Sequence, residues 1–416
     1  MRSAVLAFAA VLVFAAAVAV NRYHHDLQRW EPDAAIYLRM ALQDRGLTPD
    51  AARADSDRFM ATTSEGRNPA SRGFYGPSPP EFYARQFALF RTRPLFPYLG
   101  AALYPRLGPH GLQAISAVAY VLATGLMFVV LLAVAPPWIA ALGSVAFSAN
   151  SAVLDMATYG LTDELALLFW IASLGAILAF ARAPVGAIAA HGRAASGVIA
   201  EHARAPRGAV AAYGGVPSAA LLVIVAVASL ALAFTRPAVY LPIGASLGAL
   251  IAVRAGAVPR RAAFALVAAT VAVAAIFVGY AVAVHGPGLR EQLAWQYDFS
   301  RATGAAPATQ SFAGWYVRAE ASAMVKGLLH GVLVNYGPFV VALAAIGFVL
   351  RRRTSLAYVL AGAACATVAA LVANPLEFVR TIELPLAPVV IILATAAFAT
   401  AAAALFPPRT PGTPFS

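Results

Sequence analysis

Apolar residues run on for about 20 positions at a time, repeatedly along the chain, and few folds accept that pattern. A hydrocarbon core about 30 Å thick takes roughly 20 apolar residues per helix, and lipid leaves helices and closed barrels as the only spanning structures. The runs do not alternate with polar residues as barrel strands do, so helices are expected. Hydrophobic residues make up 61% of the 416 residues and charged residues only 12%. A soluble globular domain is excluded. The expected fold is an all-α polytopic membrane protein, read over 1–416 as a single membrane domain with about ten transmembrane helices (roughly 9–12). The spans predicted from hydropathy are 3–20, 111–135, 138–157, 161–181, 217–235, 237–253, 262–284, 327–350, 354–373 and 382–405. Residues 82–107 mix arginines with aromatics and read as an interfacial amphipathic helix, with an eleventh span as the alternative.

Charge gives the expected orientation. With the N-terminus cytoplasmic, the inner segments collect Arg2, Arg182, Arg193, Arg204, Arg207, Arg254, Arg260, Arg261, Arg351, Arg352, Arg353 and Arg409 against one acid, Glu201. The other side is nearly balanced, so almost all of the net charge of +12 falls on one face. This is the positive-inside asymmetry of an inner (plasma) membrane protein with both termini cytoplasmic. The basic excess is then topological, and nucleic acid is not an expected partner. The N-terminal run is expected to stay as an anchor, a cleaved signal peptide being the alternative; either way the residues after it lie outside.

The first outer loop spans 21–108, with Pro/Gly/Ser-rich stretches at 64–80 and short helices expected to lie against the membrane. A basic linker at 182–216 is expected on the cytoplasmic side, where anionic headgroups are its natural contacts. The second large outer loop, 285–326, carries Trp295, Tyr297, Trp315 and Tyr316 among cations and suits an interfacial position or a lid over a lipid headgroup. The single cysteine, Cys365, falls in a predicted span, so no disulfide within the chain can form and apolar packing is its expected role.

Several residues can carry chemistry. Asp33 follows Glu31-Pro32, and Pro32 suits a helix's first turn, where Asp33 would meet the positive end of the dipole. The plain reading is dipole complementation; the functional one pairs Asp33 with Tyr37, one turn later, to orient an acceptor hydroxyl. Asp163 and Glu164 open an apolar span behind Thr162, where ionisable groups face a bundle interior or a water-filled cavity, or else complement the dipole at the interface. Arg93, Arg236 and Arg380 stand at span mouths beside prolines, and guanidinium groups suit bidentate contacts to phosphate as well as plain snorkelling to headgroups. His24 and His25 are adjacent in sequence and do not share a helix face, so zinc is not argued for.

The order of these marks resembles a known family. An acid in a long first outer loop followed by Tyr37, then Arg93-Pro94-Leu95-Phe96-Pro97, Leu161-Thr162-Asp163-Glu164, Thr235-Arg236-Pro237, and Arg380 before Leu384-Pro385-Leu386-Ala387-Pro388 is similar to the GT-C superfamily of integral membrane glycosyltransferases. The likeness is to the branch of protein mannosyltransferases and bacterial enzymes that glycosylate lipid A or cell-wall glycans. It implies transfer of a sugar from a polyprenyl-phosphate carrier to a lipid, glycan or protein acceptor on the outer face, with inversion. It further implies that Asp33 acts as base or orienting group, that Asp163 is the acid opening a later span, and that Arg236 and Arg380 lie near the carrier phosphate. Asp163 and Glu164 would hold the acceptor or bind a divalent metal with Asp33. The chain departs from the family in splitting Glu31 from Asp33 with Pro32, and in its long, arginine-rich first loop. The competing class is a transporter or lipid flippase, which would place charges or broken helices near the bilayer midplane and show internal repeats.

Overall fold

The computed structural model describes residues 2–27, 29–63, 87–182, 218–302, 306–307, 309–326, 354–370 and 383–405. Among them every regular element is helical: α1 (Arg2–Asp26), α2 (Pro32–Asp44), α3 (Pro49–Met60), α4 (Leu95–Leu107), α5 (Gly111–Leu131), α6 (Pro137–Ser148), α7 (Ser151–Met156), α8 (Asp163–Arg182), α9 (Ser218–Thr235), α10 (Tyr240–Arg254), α11 (Arg260–Ala283), α12 (Leu289–Ala302), α13 (Phe312–Lys326), α14 (Ser355–Ala369) and α15 (Leu384–Leu405). Six helical runs, Arg2–Asp26, Leu95–Leu131, Asp163–Arg182, Ser218–Thr235, Arg260–Ala283 and Leu384–Leu405, are long and apolar enough to cross a membrane. Pro137–Ser148, Tyr240–Arg254 and Ser355–Ala369 are shorter apolar helices. The chain is a helical membrane protein.

One expected span is broken, and a short helix precedes another. The span expected at 138–157 is two helices, because Asn150 accepts hydrogen bonds from Ala152 N and Val153 N and starts a new helix where hydropathy sees continuity. In the run Leu95–Leu131, a 3-10 turn at Gly108–His110 folds α4 back, so that Gly100 sits against Leu112. With 13 residues α4 is about 20 Å long, too short to cross alone. The expected span 327–350 and nearly all of the linker 182–216 lie outside the described residues.

Helix α8 is the axis of the bundle. It packs on α5 and α9 and touches α10, α11, α14 and α15, and its 20 residues match a hydrocarbon core of about 30 Å. Polar contacts tie it to its neighbours where lipid-like surroundings make dispersion and hydrogen bonds the adhesive: Ser173 and Ser229 share a hydrogen bond of 2.8 Å, and Trp170 Nε1 donates to Pro385 O at 3.0 Å. At one end of the bundle the starts of α5, α8 and α15 meet the ends of α1, α9 and α11, and this is the mouth. At the other end lie Arg2, Arg182, Arg254, Arg260 and Arg261, the basic end.

Over the mouth, α2, α3 and α4 build a core of their own from Trp30, Ile36, Tyr37, Leu38, Met60 and Phe96, resting on Leu112 and Leu161. The short outer helices were expected to lie against the membrane. Instead α2 is buried over all of 34–42, around its whole circumference. The device that allows this is Arg39, 6% exposed, paired with Asp57 of α3, so no lone charge is enclosed.

A close helix crossing joins α10 and α14. A Cβ on Gly248 would overlap Tyr358 O, one on Gly362 would overlap Gly244 O, and one on Gly244 would lie 2.6 Å from Gly362 O. Gly244 and Gly248 form a small-xxx-small pair, which lets two backbones touch. Cys365 of α14 is exposed, not packed inside as expected, because the α10 contact runs along Gly362 and Ala366.

Candidate functional site

The mouth gathers residues from distant parts of the chain. Pro32 opens α2, Asp33 stands half-buried in its first turn and Glu31 is exposed at the N-cap. Tyr37, one turn after Asp33 and on the same face, is fully buried against Phe90 and Phe96, with ring centroids 4.9 and 5.3 Å away. Its hydroxyl receives a hydrogen bond from Arg93 Nη1 at 3.0 Å and pairs with Thr162 Oγ1 at 3.3 Å. Arg93 is also stacked over Phe90, 4.9 Å from the ring centroid. Tyr37 thus couples α2 and the Arg93 turn to the residue preceding α8.

The next residue carries a buried charge contact. Asp163, fully buried, forms an ion pair with Arg236, whose side chain is 13% exposed. Arg236 follows α9, and Pro237 behind it keeps the chain from continuing that helix. Gly160, at φ +66°, reverses the chain just ahead of Leu161 and so delivers Thr162 and Asp163 to the mouth. Glu164 is fully buried beside this pair. The structure therefore brings together Tyr37, Arg93, Thr162, Asp163, Glu164 and Arg236, with Asp33 one turn ahead of Tyr37 on α2. Arg380 lies outside the described residues.

A second polar cluster escaped the sequence reading. Asp26, 2% exposed at the end of α1, accepts from Thr158 Oγ1 at 2.7 Å and lies 3.7 Å from Arg22 Nε and 3.6 Å from Arg29 Nη1. Arg22 also reaches Asp155 at 3.0 Å. Gln113 Nε2 donates to the carbonyls of Asp26 and Arg29 at 2.9 and 3.2 Å, which fixes its amide, so its Oε1 accepts from His110 Nδ1–H at 2.8 Å. Burial raises the nearby Tyr159 phenol, and Arg29 pulls it back down. The spacing 22, 26, 29 of Arg, Asp and Arg at a helix end was the available signal. The cluster clasps the turn that leads into Asp33. Asp26→Ala is expected to lower stability by about 2 kcal/mol, the worth of a charge-assisted hydrogen bond, measured as thermal unfolding in detergent.

Among the described residues, no group of three or more His, Cys, Asp or Glu side chains could hold a metal ion. The buried charged residues among them, Asp26, Arg39, Asp163, Glu164 and Glu383, all lie at helix mouths or in the lobe above. No family model, no curated protein and no solved structure matches this chain.

Proposed function

We propose that the chain is a membrane glycosyltransferase that moves a sugar from a polyprenyl-phosphate carrier to an acceptor hydroxyl at the mouth, with inversion at the anomeric carbon. The observation that carries this reading is the Tyr37–Thr162 contact, which docks the acid-bearing face of α2 onto the α8 start where Asp163 pairs with Arg236. The basic end would face the cytoplasm and the mouth the outer side of the inner membrane, with both termini cytoplasmic.

In the reaction the acceptor oxygen forms a bond to the anomeric carbon while the bond from that carbon to the phosphate oxygen breaks. Its electron pair leaves with the polyprenyl phosphate, and the acceptor proton passes to Asp33. Asp33 sits in the first turn of a helix that begins with Pro32, and the dipole there favours its anion, so alignment of the acceptor supplies much of its effect and proton transfer comes late. The phosphate needs a cation. A guanidinium carries five N–H donors, enough for Arg236 to serve Asp163 and a phosphate oxygen together, with Arg380 the other candidate from its sequence position. Tyr37 and Arg93 hold the α2 face in register with α8, and Glu31, exposed at the α2 N-cap, would meet substrate. Asp33, Asp163 and Glu164, the acids expected to take up a divalent ion, do not form a metal-holding group among the described residues, and no step is assigned to one. Buried charge at the mouth, with Ser173 and Ser229 as the polar contact deeper along α8, favours surface chemistry over a transporter's midplane site.

The test is turnover by purified protein in liposomes supplied with a panel of labelled polyprenyl-phosphate sugars. Wild type is expected to transfer one of them, and Asp33→Asn to lose about 100-fold or more in kcat, the scale of a positioned general base. Absence of turnover with every donor overturns the reading; equal turnover by the two proteins removes Asp33 from it.

A further inference from the structure

Glu164 is fully buried, yet neither of its carboxylate oxygens has a hydrogen-bond partner. Buried polar groups are normally satisfied, and a lone one calls for an explanation. The hydroxyls on the neighbouring turns are engaged elsewhere. Thr162 Oγ1 pairs with Tyr37, Ser116 donates to Leu161 O at 3.0 Å, Tyr120 donates to Ser148 O at 3.0 Å, and Thr158 donates to Asp26. The nearest cation contact goes to the adjacent residue, since Arg236 Nη1 is on Asp163. Glu164 therefore keeps two buried, unpartnered oxygens side by side at the first turn of α8.

We infer that Glu164 is a recognition group for the transferred sugar, accepting hydrogen bonds from two adjacent ring hydroxyls of the donor; this rests on the glycosyl-transfer reading. Arg236 already meets Asp163, so the carrier phosphate belongs with that cation and not with the carboxyl of Glu164, which brings no cation of its own. A polyprenyl tail offers no hydrogen to donate. A vicinal diol offers two donors at the spacing of two carboxylate oxygens, and Glu164 stands one residue from the ion pair that the phosphate would approach. Glu164 thereby sets which sugar is read, while Asp33 acts on the acceptor.

The full-length protein in liposomes tests this with the donor sugar that wild type accepts and its monodeoxy analogues. Wild type is expected to discriminate against at least one analogue by about 10- to 100-fold in kcat/KM, the value of a hydrogen bond to a charged group. In Glu164→Gln, nearly isosteric, that discrimination is expected to fall to within about threefold. Binding of polyprenyl phosphate without sugar, followed by quenching of tryptophan fluorescence, is expected to stay unchanged and also shows that the variant is folded. Retained discrimination in Glu164→Gln, or loss of polyprenyl phosphate binding alongside turnover, overturns the assignment while leaving the glycosyl-transfer reading in place. A wild type that turns over no donor removes that reading, and this one with it.

Discussion

Gly248→Val is expected to be the most destabilising single change in the bundle. Even a Cβ at this position would overlap the carbonyl oxygen of Tyr358, which belongs to the backbone of α14 and cannot rotate aside. Relief requires the two helices to separate, which forfeits the dispersion contacts that hold helices together in lipid. Overpacking of a tight core costs about 1 to 3 kcal/mol and occasionally more, and a backbone collision belongs at or above the top of that range. Gly362→Val should behave alike, because a Cβ there would overlap Gly244 O. The control is Gly279→Ala in α11, where nothing lies within 4 Å of an added Cβ; there the helix propensity of alanine is expected to stabilise by up to about 1 kcal/mol. Thermal unfolding in detergent reads all three. A Gly248→Val protein as stable as the Gly279→Ala protein would refute the crossing.

Arg236→Met is expected to be nearly as damaging to the fold and more damaging to turnover. It leaves Asp163 enclosed without its cation, and breaking a buried pair from one side costs about 3 to 5 kcal/mol. The exposure of Arg236, at 13%, places the loss toward the lower figure. Replacing both partners, Asp163→Leu with Arg236→Met, should recover most of that stability, since apolar residues can take the place of a buried pair. Turnover should not return with it, because the double variant lacks the cation proposed to meet the departing phosphate. A double variant that is both stable and active would leave the pair as a structural contact only.

How much of this could be read from the chain follows from which forces leave a local trace. The long spans and the collection of arginines at one end were legible because lipid imposes them residue by residue. Arg182, Arg254, Arg260 and Arg261 do lie at one end of the bundle. The break at Asn150 was not, since hydropathy averages over a capping side chain. Nothing local marks Gly362 as the partner of Gly244 and Gly248. Asp163 and Arg236 were each conspicuous at a span mouth, while their pairing joins residues separated by 73 positions. The enclosure of α2 was misjudged because Arg39 reads as a solvent-facing residue until Asp57 of the next helix is brought against it.

The close crossing of α10 and α14 has a mechanical side. Two backbones in direct contact cannot slide or rotate past each other without collision, so the two helices form one double rod. Arg236 is joined to that rod by Pro237, Ala238 and Val239, which leaves it little slack. Any opening of the mouth that parts Arg236 from Asp163 must then come from α8 and the lobe above it, with the double rod as the fixed abutment against which they move.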